Sequence, residues 1–472
     1  MDTFPIYCAG KFLETTQTHE VMNPFSGKAF ARTWLAGTNE LEEAITKAVS
    51  SRGIMRDMPS YQRYEILTQI KEGLQKQRQE FAELISLESG KPIRYALGEV
   101  DRSIQSFSVA AEESRRLPRE YLGIDWTPPG KGKEGLVKYF PIGIVAGISP
   151  FNFPLNLAVH KIAPAIAAGC PIILKPSSST PLSTLKLSRL IAATSLPGGA
   201  VSVLPMDRVI GNNLVTDERI SLLSFTGSPV VGWEMKRKAG KKKVVLELGG
   251  NAGVIVSKGV RLEEAVPKCV TGGFSYSGQV CIHTQRIYII KELFEEFAEL
   301  FVKITGQLKQ GNPLDPATEI SGMIDEPNSK RVKAWVGEAV SAGAKILLGG
   351  KRAGSFFEPT ILTSTQANMR VCCEEVFGPV VVIEPVDTFA EAVDRVNEGC
   401  FGLQAGVFTD SIDEMNYAFN KLEVGGVMLN DVPTFRVDHM PYGGVKDSGQ
   451  GREGIRYAIF DMLEPRLLVK NC

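Results

Sequence analysis

The sequence predicts an α/β protein built from two parallel-sheet domains with a small β extension. Three observations carry that expectation. From residue 143 onward, short apolar runs alternate with helical stretches. Strands that are apolar on both faces and separated by helices signal a parallel sheet covered on both sides. The second half of the chain repeats the alternation, and a length of 472 residues suits two or three domains with large cores.

The elements follow in order. Between residues 40 and 120 the pattern is mostly helical: Leu41, Ala44, Ile45, Ala48 and Val49 recur at helical spacing, as do Ile66, Ile70 and Leu74. The stretch from Trp126 to Gly132, rich in proline and glycine, reads as a loop or hairpin. Strands are expected at 143–148, 171–175, 201–204, 220–225 and 244–248, with helices at 157–168 and 182–193. Pro164 predicts a kink in the first of these helices. Further strands are expected at 287–290, 346–348, 380–383, 405–408 and 427–429, and helices at 292–308, 389–397 and 412–422. The segment 119–141 and the tail Arg466 to Val469 fit neither alternation. They are expected to pair as a small projecting sheet, whose exposed edge invites a partner subunit.

Composition excludes several functions. The 53 Lys and Arg balance the 53 Asp and Glu, so no broad electrostatic footprint for nucleic acid or an anionic membrane is expected. The lone basic run Lys241-Lys242-Lys243 reads as a solvated turn. The first thirty residues lack a signal-peptide core, and no apolar run approaches the ~20 residues that span a bilayer. Eight irregularly spaced cysteines, four histidines and no Cys-x-x-Cys pair argue against a disulfide framework and a zinc site. These features point to a reducing cytoplasm and to no metal. Gly130 to Gly135 matches G-x-G-x-x-G, but prolines precede it and a β-rich run follows, so the strand–turn–helix context of a dinucleotide site is missing.

Six other segments are informative: Ser149-Pro150-Phe151-Asn152; Phe225-Thr226-Gly227-Ser228; Glu247-Leu248-Gly249-Gly250; Ser277 to Cys281; Glu374-Glu375-Val376-Phe377; and Pro441 to Gly449. The first two lie beyond the C-terminal ends of strands, where open α/β sheets bind ligands. Backbone N–H groups at the second could hold a pyrophosphate. Singly, each segment has an ordinary structural explanation. Jointly, in this order, with a separation of 34 residues from Glu247 to Cys281, they resemble the aldehyde dehydrogenase superfamily over essentially the whole chain.

That resemblance implies a fold, a chemistry and a set of residues. Cys281 is the implied nucleophile, and Asn152 with the Cys281 backbone N–H forms the implied oxyanion hole. Glu247 is the implied general base for thioester hydrolysis, and Lys161 a lysine near the nucleophile. A base at position 247 argues against relatives that pass the acyl group to coenzyme A. The implied cofactor is NAD or NADP. Lys175 would bind the adenosine ribose, Gly227 and Ser228 the pyrophosphate, Glu375 the nicotinamide ribose, and Phe377 would pack beside the nicotinamide. Ser149, Pro150, Phe151, Ser177, Ser178, Gly211, Phe225, Thr226, Val231, Leu248 and Gly249 complete the implied cofactor site.

Ser178 stands where NAD-selective members carry a glutamate, so NADP is expected to be accepted, with a tilt towards it. His160, His283 and Arg436 are candidate substrate contacts, although a structural role is favoured for His283 and an ion pair is an equal alternative for Arg436. The segment Asp431 to His439, which contains Arg436, resembles the branch with lactaldehyde, succinic semialdehyde and phosphonoacetaldehyde dehydrogenases. Val280 and Ser108 replace cations of its phosphonate-acting members, so a small hydroxy- or carboxy-aldehyde is expected. A non-catalytic member of the fold would have lost a catalytic group, and Cys281, Glu247, Asn152 and Glu375 are all present. The resemblance also implies a cofactor domain of residues 1–118 and 142–248 and a catalytic domain of 249–447. Oligomerisation segments at 119–141 and 448–472 would build a homodimer or homotetramer.

Overall fold

The computed structural model describes residues 1–472. Its largest sheet has eight strands, in the order Gly449–Gln450, Lys243–Glu247, Ile220–Thr226, Ile144–Ile148, Ile172–Lys175, Val201–Val203, Ile6–Cys8 and Lys11–Leu13. The five central strands are parallel. They are buried runs of Ile, Val, Leu and Ala, with the hydrophobic character a doubly covered sheet requires. From Ile144–Ile148 the chain adds strands on one side, then returns with Ile220–Thr226 on the other. The loops after these two strands therefore flank the switch in strand order, the usual ligand crevice of such sheets.

A second sheet has seven strands, from Lys345–Leu348 at one edge through Thr360–Thr363, Val380–Val386, Thr284–Ile290, Ala252–Val256 and Gln404–Phe408 to Gly426–Leu429. All neighbours are parallel except the first pair. The Cys281 loop enters this sheet at the start of Thr284–Ile290, and Glu375 precedes Val380–Val386. Both thus lie at the N-terminal edge of the second sheet. That edge meets the C-terminal edge of the first: a Cβ on Gly250 would stand 2.2 Å from the Cys281 carbonyl oxygen.

Four helices, Thr38–Asp57, Ser60–Lys76, Arg78–Ser89 and Ile93–Ser114, fill the helical stretch read from the sequence. The helix Asn156–Ala168 is buried at every position and runs unbroken through Pro164. Pro164 removes one backbone donor within a helix whose whole surface is packed. Its N-terminus is capped by Glu99, whose Oε1 accepts from the N–H groups of Leu155 and Asn156 at 2.9 and 3.1 Å.

Arg119–Gly123, Lys133–Pro141 and Leu463–Asn471 form a separate antiparallel sheet with the tail at one edge. The tail projects only from Leu463 onward, not from residue 448. Gly449–Gln450 pairs with Lys243–Glu247 in the first sheet, and Ile455–Asp461 is a helix with Ile455 and Ile459 in the first domain's core. The N-terminal strands Asp2–Phe4, Ile6–Cys8, Lys11–Leu13, Gln17–Asn23 and Lys28–Leu35 had no counterpart in the sequence reading. No helix is long and apolar enough to cross a membrane.

Candidate active site

The turn before Cys281 is held in an unusual backbone conformation. Tyr276, Ser277 and Gly278 have φ of 50°, 52° and 68°, a left-handed run that costs free energy at the two non-glycine positions. Side chains pin it: Tyr276 Oη donates to the Ser89 carbonyl at 3.2 Å, and Ser277 Oγ to the Ser321 carbonyl at 2.7 Å. At Gly278 a Cβ would come within 2.2 Å of the Gly378 carbonyl oxygen, so only glycine fits. The half-buried Cys281 therefore sits on a rigid support.

Its Sγ lies 2.9 Å from the Tyr442 hydroxyl. Burial pushes the thiol up to about 11, against the opposing effects of Tyr442 and Arg436. The Cys281 backbone N–H takes no acceptor from the protein. Asn152, 3% exposed, donates one amide hydrogen to the Gln279 carbonyl at 3.0 Å, while its Oδ1 has no protein partner. Glu247 ends a strand of the first sheet and is also 3% exposed. Both its carboxylate oxygens lack a partner, and burial, then the nearby Glu453, raise its proton affinity well above the usual carboxylate range.

Behind these groups lies a dense charge cluster. Lys161 is fully buried and donates to Thr226 Oγ1 at 2.8 Å, Ser224 Oγ at 3.1 Å and Glu453 Oε1 at 3.3 Å. Arg436 Nη2 pairs with Glu453 Oε2 at 3.0 Å, and its guanidinium stacks 3.6 Å from the Tyr442 ring centroid. Burial opposes ionisation of Glu453, but Lys161 and Arg436 bring its carboxyl down to about 2.

His160 Nε2 lies 2.7 Å from Asp438 Oδ1 and its Nδ1 lies 3.4 Å from Arg436 Nη2. An arginine can only donate, so Nδ1 accepts and Nε2–H donates to Asp438. That assigns a neutral imidazole, in keeping with a proton affinity lowered chiefly by burial. Arg102 completes the cluster, with its guanidinium 2.7 Å from Asp438.

The cofactor residues named from the sequence meet in a groove beside this cluster. A cavity of about 460 Å³ is lined by Ser149, Pro150, Phe151, Lys175, Ser177, Ser178, Gly211, Phe225, Thr226, Gly227, Ser228 and Val231. The groove fits a dinucleotide. Ser149 Oγ is buried without a protein partner, and Lys175 is half-buried, its proton affinity lowered by desolvation. Glu375 accepts from the Gly250 N–H at 2.9 Å and is raised to about 7 by burial. Its Oε2 would be 2.4 Å from a Cβ on Gly249, so that glycine admits the carboxylate. Phe377 packs edge-on against Phe151 at 5.7 Å.

The profile of the aldehyde dehydrogenase family matches residues 12–468. This chain belongs to the aldehyde dehydrogenase family. Among its relatives is the 3-sulfolactaldehyde dehydrogenase of Priestia aryabhattai, 40% identical over 469 residues, which cover 99% of this chain and 98% of the relative. The structure of aldehyde dehydrogenase 21 from Physcomitrella patens, solved with its reaction product succinate, is 44% identical with a TM-score of 0.98, covering 100% of this chain and 98% of that one. The NADP complex of glyceraldehyde-3-phosphate dehydrogenase from Methanocaldococcus jannaschii is 37% identical with a TM-score of 0.93, covering 96% and 99% of the two chains.

Not every residue expected at the site of this aldehyde dehydrogenase joins the cluster. His283 directs Nε2 to the Gly273 carbonyl at 2.8 Å and bonds to no group around Cys281. Its proton affinity falls to about 4 through burial, as for a neutral core histidine. Of the expected cofactor residues, Leu248, Gly249, Glu375 and Phe377 lie beside the groove rather than along its lining. Other participants carried no assigned role in the sequence: Tyr442, within the segment Pro441 to Gly449, Glu453 just beyond it, Asp438 and Arg102 in the cluster, and Arg208 in the groove. Asp438 and Glu453 carry a faint signal, being acids within 17 residues of Arg436 on either side of an apolar Pro-Tyr-Gly-Gly turn.

Proposed function

We propose that this enzyme oxidises a short hydroxy- or carboxy-aldehyde to the free acid, with NADP or NAD as hydride acceptor and Cys281 as nucleophile. Glu247 carries the reading. A buried carboxyl with both oxygens unbonded is costly for the fold, and such a group beside a nucleophile is suited to proton transfer.

The thiol is mostly protonated at neutral pH, so its proton leaves to solvent water as sulfur attacks the aldehyde carbon. Charge that builds on the carbonyl oxygen meets the second amide hydrogen of Asn152 and the N–H of Cys281. A bound nicotinamide supplies the hydride acceptor that turns the thiohemiacetal on Cys281 into a thioester. Glu247 then takes a proton from the water that attacks this thioester, and the C–S bond breaks to release the acid. A base in this place favours water over coenzyme A as acyl acceptor.

The pocket favours a polar substrate. Arg436 Nε has no protein partner, so its guanidinium retains capacity for a carboxylate after pairing with Glu453. The sulfolactaldehyde relative and the succinate-bound structure fit a short anionic or hydroxylated aldehyde. In the groove, Lys175, Ser178 and Arg208 with no glutamate at 178 favour NADP. Residues 1–118 and 142–248 form the cofactor domain, 249–447 the catalytic domain, and the exposed edge Leu463–Asn471 serves a homodimer or homotetramer. Leu467, Leu468 and Val469 stand about half-exposed along it.

Absorbance at 340 nm tests the function, using lactaldehyde, glyceraldehyde, glycolaldehyde, succinic semialdehyde and an unsubstituted alkyl aldehyde with each cofactor. Reduction is expected with the polar aldehydes, faster with NADP. Equal rates with the alkyl aldehyde, or silence throughout, would overturn the substrate assignment.

A further inference from the structure

Tyr442 is 2% exposed, and the only partner of its hydroxyl is the Cys281 sulfur, 2.9 Å away. The main chain at Tyr442 is fixed by a reciprocal pair. Its N–H donates to the Glu453 carbonyl at 3.0 Å, and the Glu453 N–H donates back at 2.6 Å. These two main-chain-paired residues also grip one cation: Glu453 through the ion pair at 3.0 Å, Tyr442 through its ring face at 3.6 Å. The main-chain pair fixes the Tyr442 backbone, and Arg436, itself anchored on Glu453, packs on the ring, so the hydroxyl is directed at the sulfur.

We infer that Tyr442 is a catalytic residue, a hydrogen-bond donor that stabilises the Cys281 thiolate as it forms and as the thioester releases it. The inference rests on Cys281 being the nucleophile. A thiol sulfur is a weak acceptor, whereas a thiolate receives a charge-assisted bond of roughly twice the strength of a neutral one. Arg436 against the ring face draws electron density from the phenol and makes its O–H a better donor. Burial, and then the neighbouring sulfur, raise the phenol's proton affinity well above its ordinary value, so the group stays protonated and serves as donor rather than base.

The step balances without any further reagent. The thiol proton leaves to solvent water as the S–C bond forms at the partly exposed sulfur, while Tyr442 keeps its own proton. When water cleaves the thioester, the C–S electron pair returns to sulfur and meets the same O–H. The groups acting on Cys281 are Tyr442, Arg436, Glu375 and Glu247. Tyr442 is the one in direct hydrogen-bond contact with Sγ.

Tyr442→Phe removes this hydroxyl and keeps the ring that stacks on Arg436, so the fold is expected to persist. The decisive readout is the pH dependence of Cys281 alkylation by iodoacetamide in the full-length protein without aldehyde, followed by peptide mass. Loss of a hydrogen bond to a charged group should raise the midpoint by roughly one to two units. It should also lower kcat/KM by about tenfold to a hundredfold with the cofactor's KM unchanged. An alkylation profile that superimposes on that of the unsubstituted enzyme would overturn the inference. Turnover by Cys281→Ala would instead defeat the nucleophile assignment beneath it, so the two readings fail on different measurements.

Discussion

The cofactor groove and the reaction pocket are adjoining parts of one crevice with opposite construction. The groove is open and built from strand ends and the turns after them, with Ser149, Thr226 and Gly227 beyond two neighbouring parallel strands. The reaction site is largely buried and built from chain segments far apart in sequence, which bring Arg102, His160, Lys161, Glu247, Arg436, Asp438 and Glu453 together. Groove residues act largely one at a time on a ligand. Pocket residues act on each other's protons, so removing one alters several. Substitutions in the pocket should therefore cost far more than substitutions in the groove.

Cys281→Ala gives the largest expected effect. Turnover should fall by on the order of 10⁴-fold or more, since only binding and the oxyanion donors remain. Nucleotide binding, read by fluorescence titration, should be unchanged because the groove is intact. Parallel loss of both would mean that groove and pocket are not separable.

Glu247→Gln comes next, with steady-state turnover reduced by about 10²–10⁴-fold. A pre-steady-state burst of reduced cofactor should survive, since acylation precedes the step the base serves. The same change should raise the thermal midpoint above neutral pH. The native carboxyl has a raised proton affinity, so its neutral form is the stabilising one, and that stability is lost as pH rises. A variant that is slower and no more heat-resistant at alkaline pH would contradict that assignment.

The same division explains what could be read from the sequence. The parallel strands were legible because burial on both faces writes them as apolar runs such as residues 172–174 and 287–290. The N-terminal strands were not, since Gln17–Asn23 is mostly solvent-exposed and carries little apolar periodicity. In the site, Cys281, Glu247 and Asn152 stood in recognisable local motifs. Asp438 meets His160 across 278 positions, and Tyr442 meets Cys281 across 161, and no local pattern encodes such a contact. Pro164 illustrates the reverse: a residue that disfavours helix interiors sits within an unbroken helix buried at every position.

Glu453→Gln probes whether the pocket's cohesion is electrostatic. The change leaves Lys161 and Arg436 buried without their shared counter-charge, and breaking such a pair typically costs about 3–5 kcal/mol. The sign of its pH dependence follows from a folded value of about 2 against an ordinary 4.5. Its contribution is complete above about 4.5 and is lost as pH falls towards 2. Thermal midpoints between pH 5 and 3 should therefore fall less steeply in the variant than in the unsubstituted enzyme. Equal slopes would mean that the cluster is held by packing.

The smallest effect belongs to the groove. Ser178 is half-buried on the cavity wall, and its carbonyl, not its side chain, accepts from His19 Nε2 at 2.9 Å. Ser178→Glu therefore keeps the main-chain anchor and changes only what faces the ligand. A carboxylate there would meet the ribose hydroxyls of NAD favourably and the 2′-phosphate of NADP unfavourably. At about 4 Å in a partly solvated groove, like charges repel by roughly 1–4 kcal/mol, enough for about a tenfold fall in the NADP-to-NAD ratio of kcat/KM. The effect should shrink with added salt, because the position is not sealed from solvent. An unaltered ratio would place the 2′-phosphate away from residue 178 and leave Lys175 and Arg208 as the groups that choose between the cofactors.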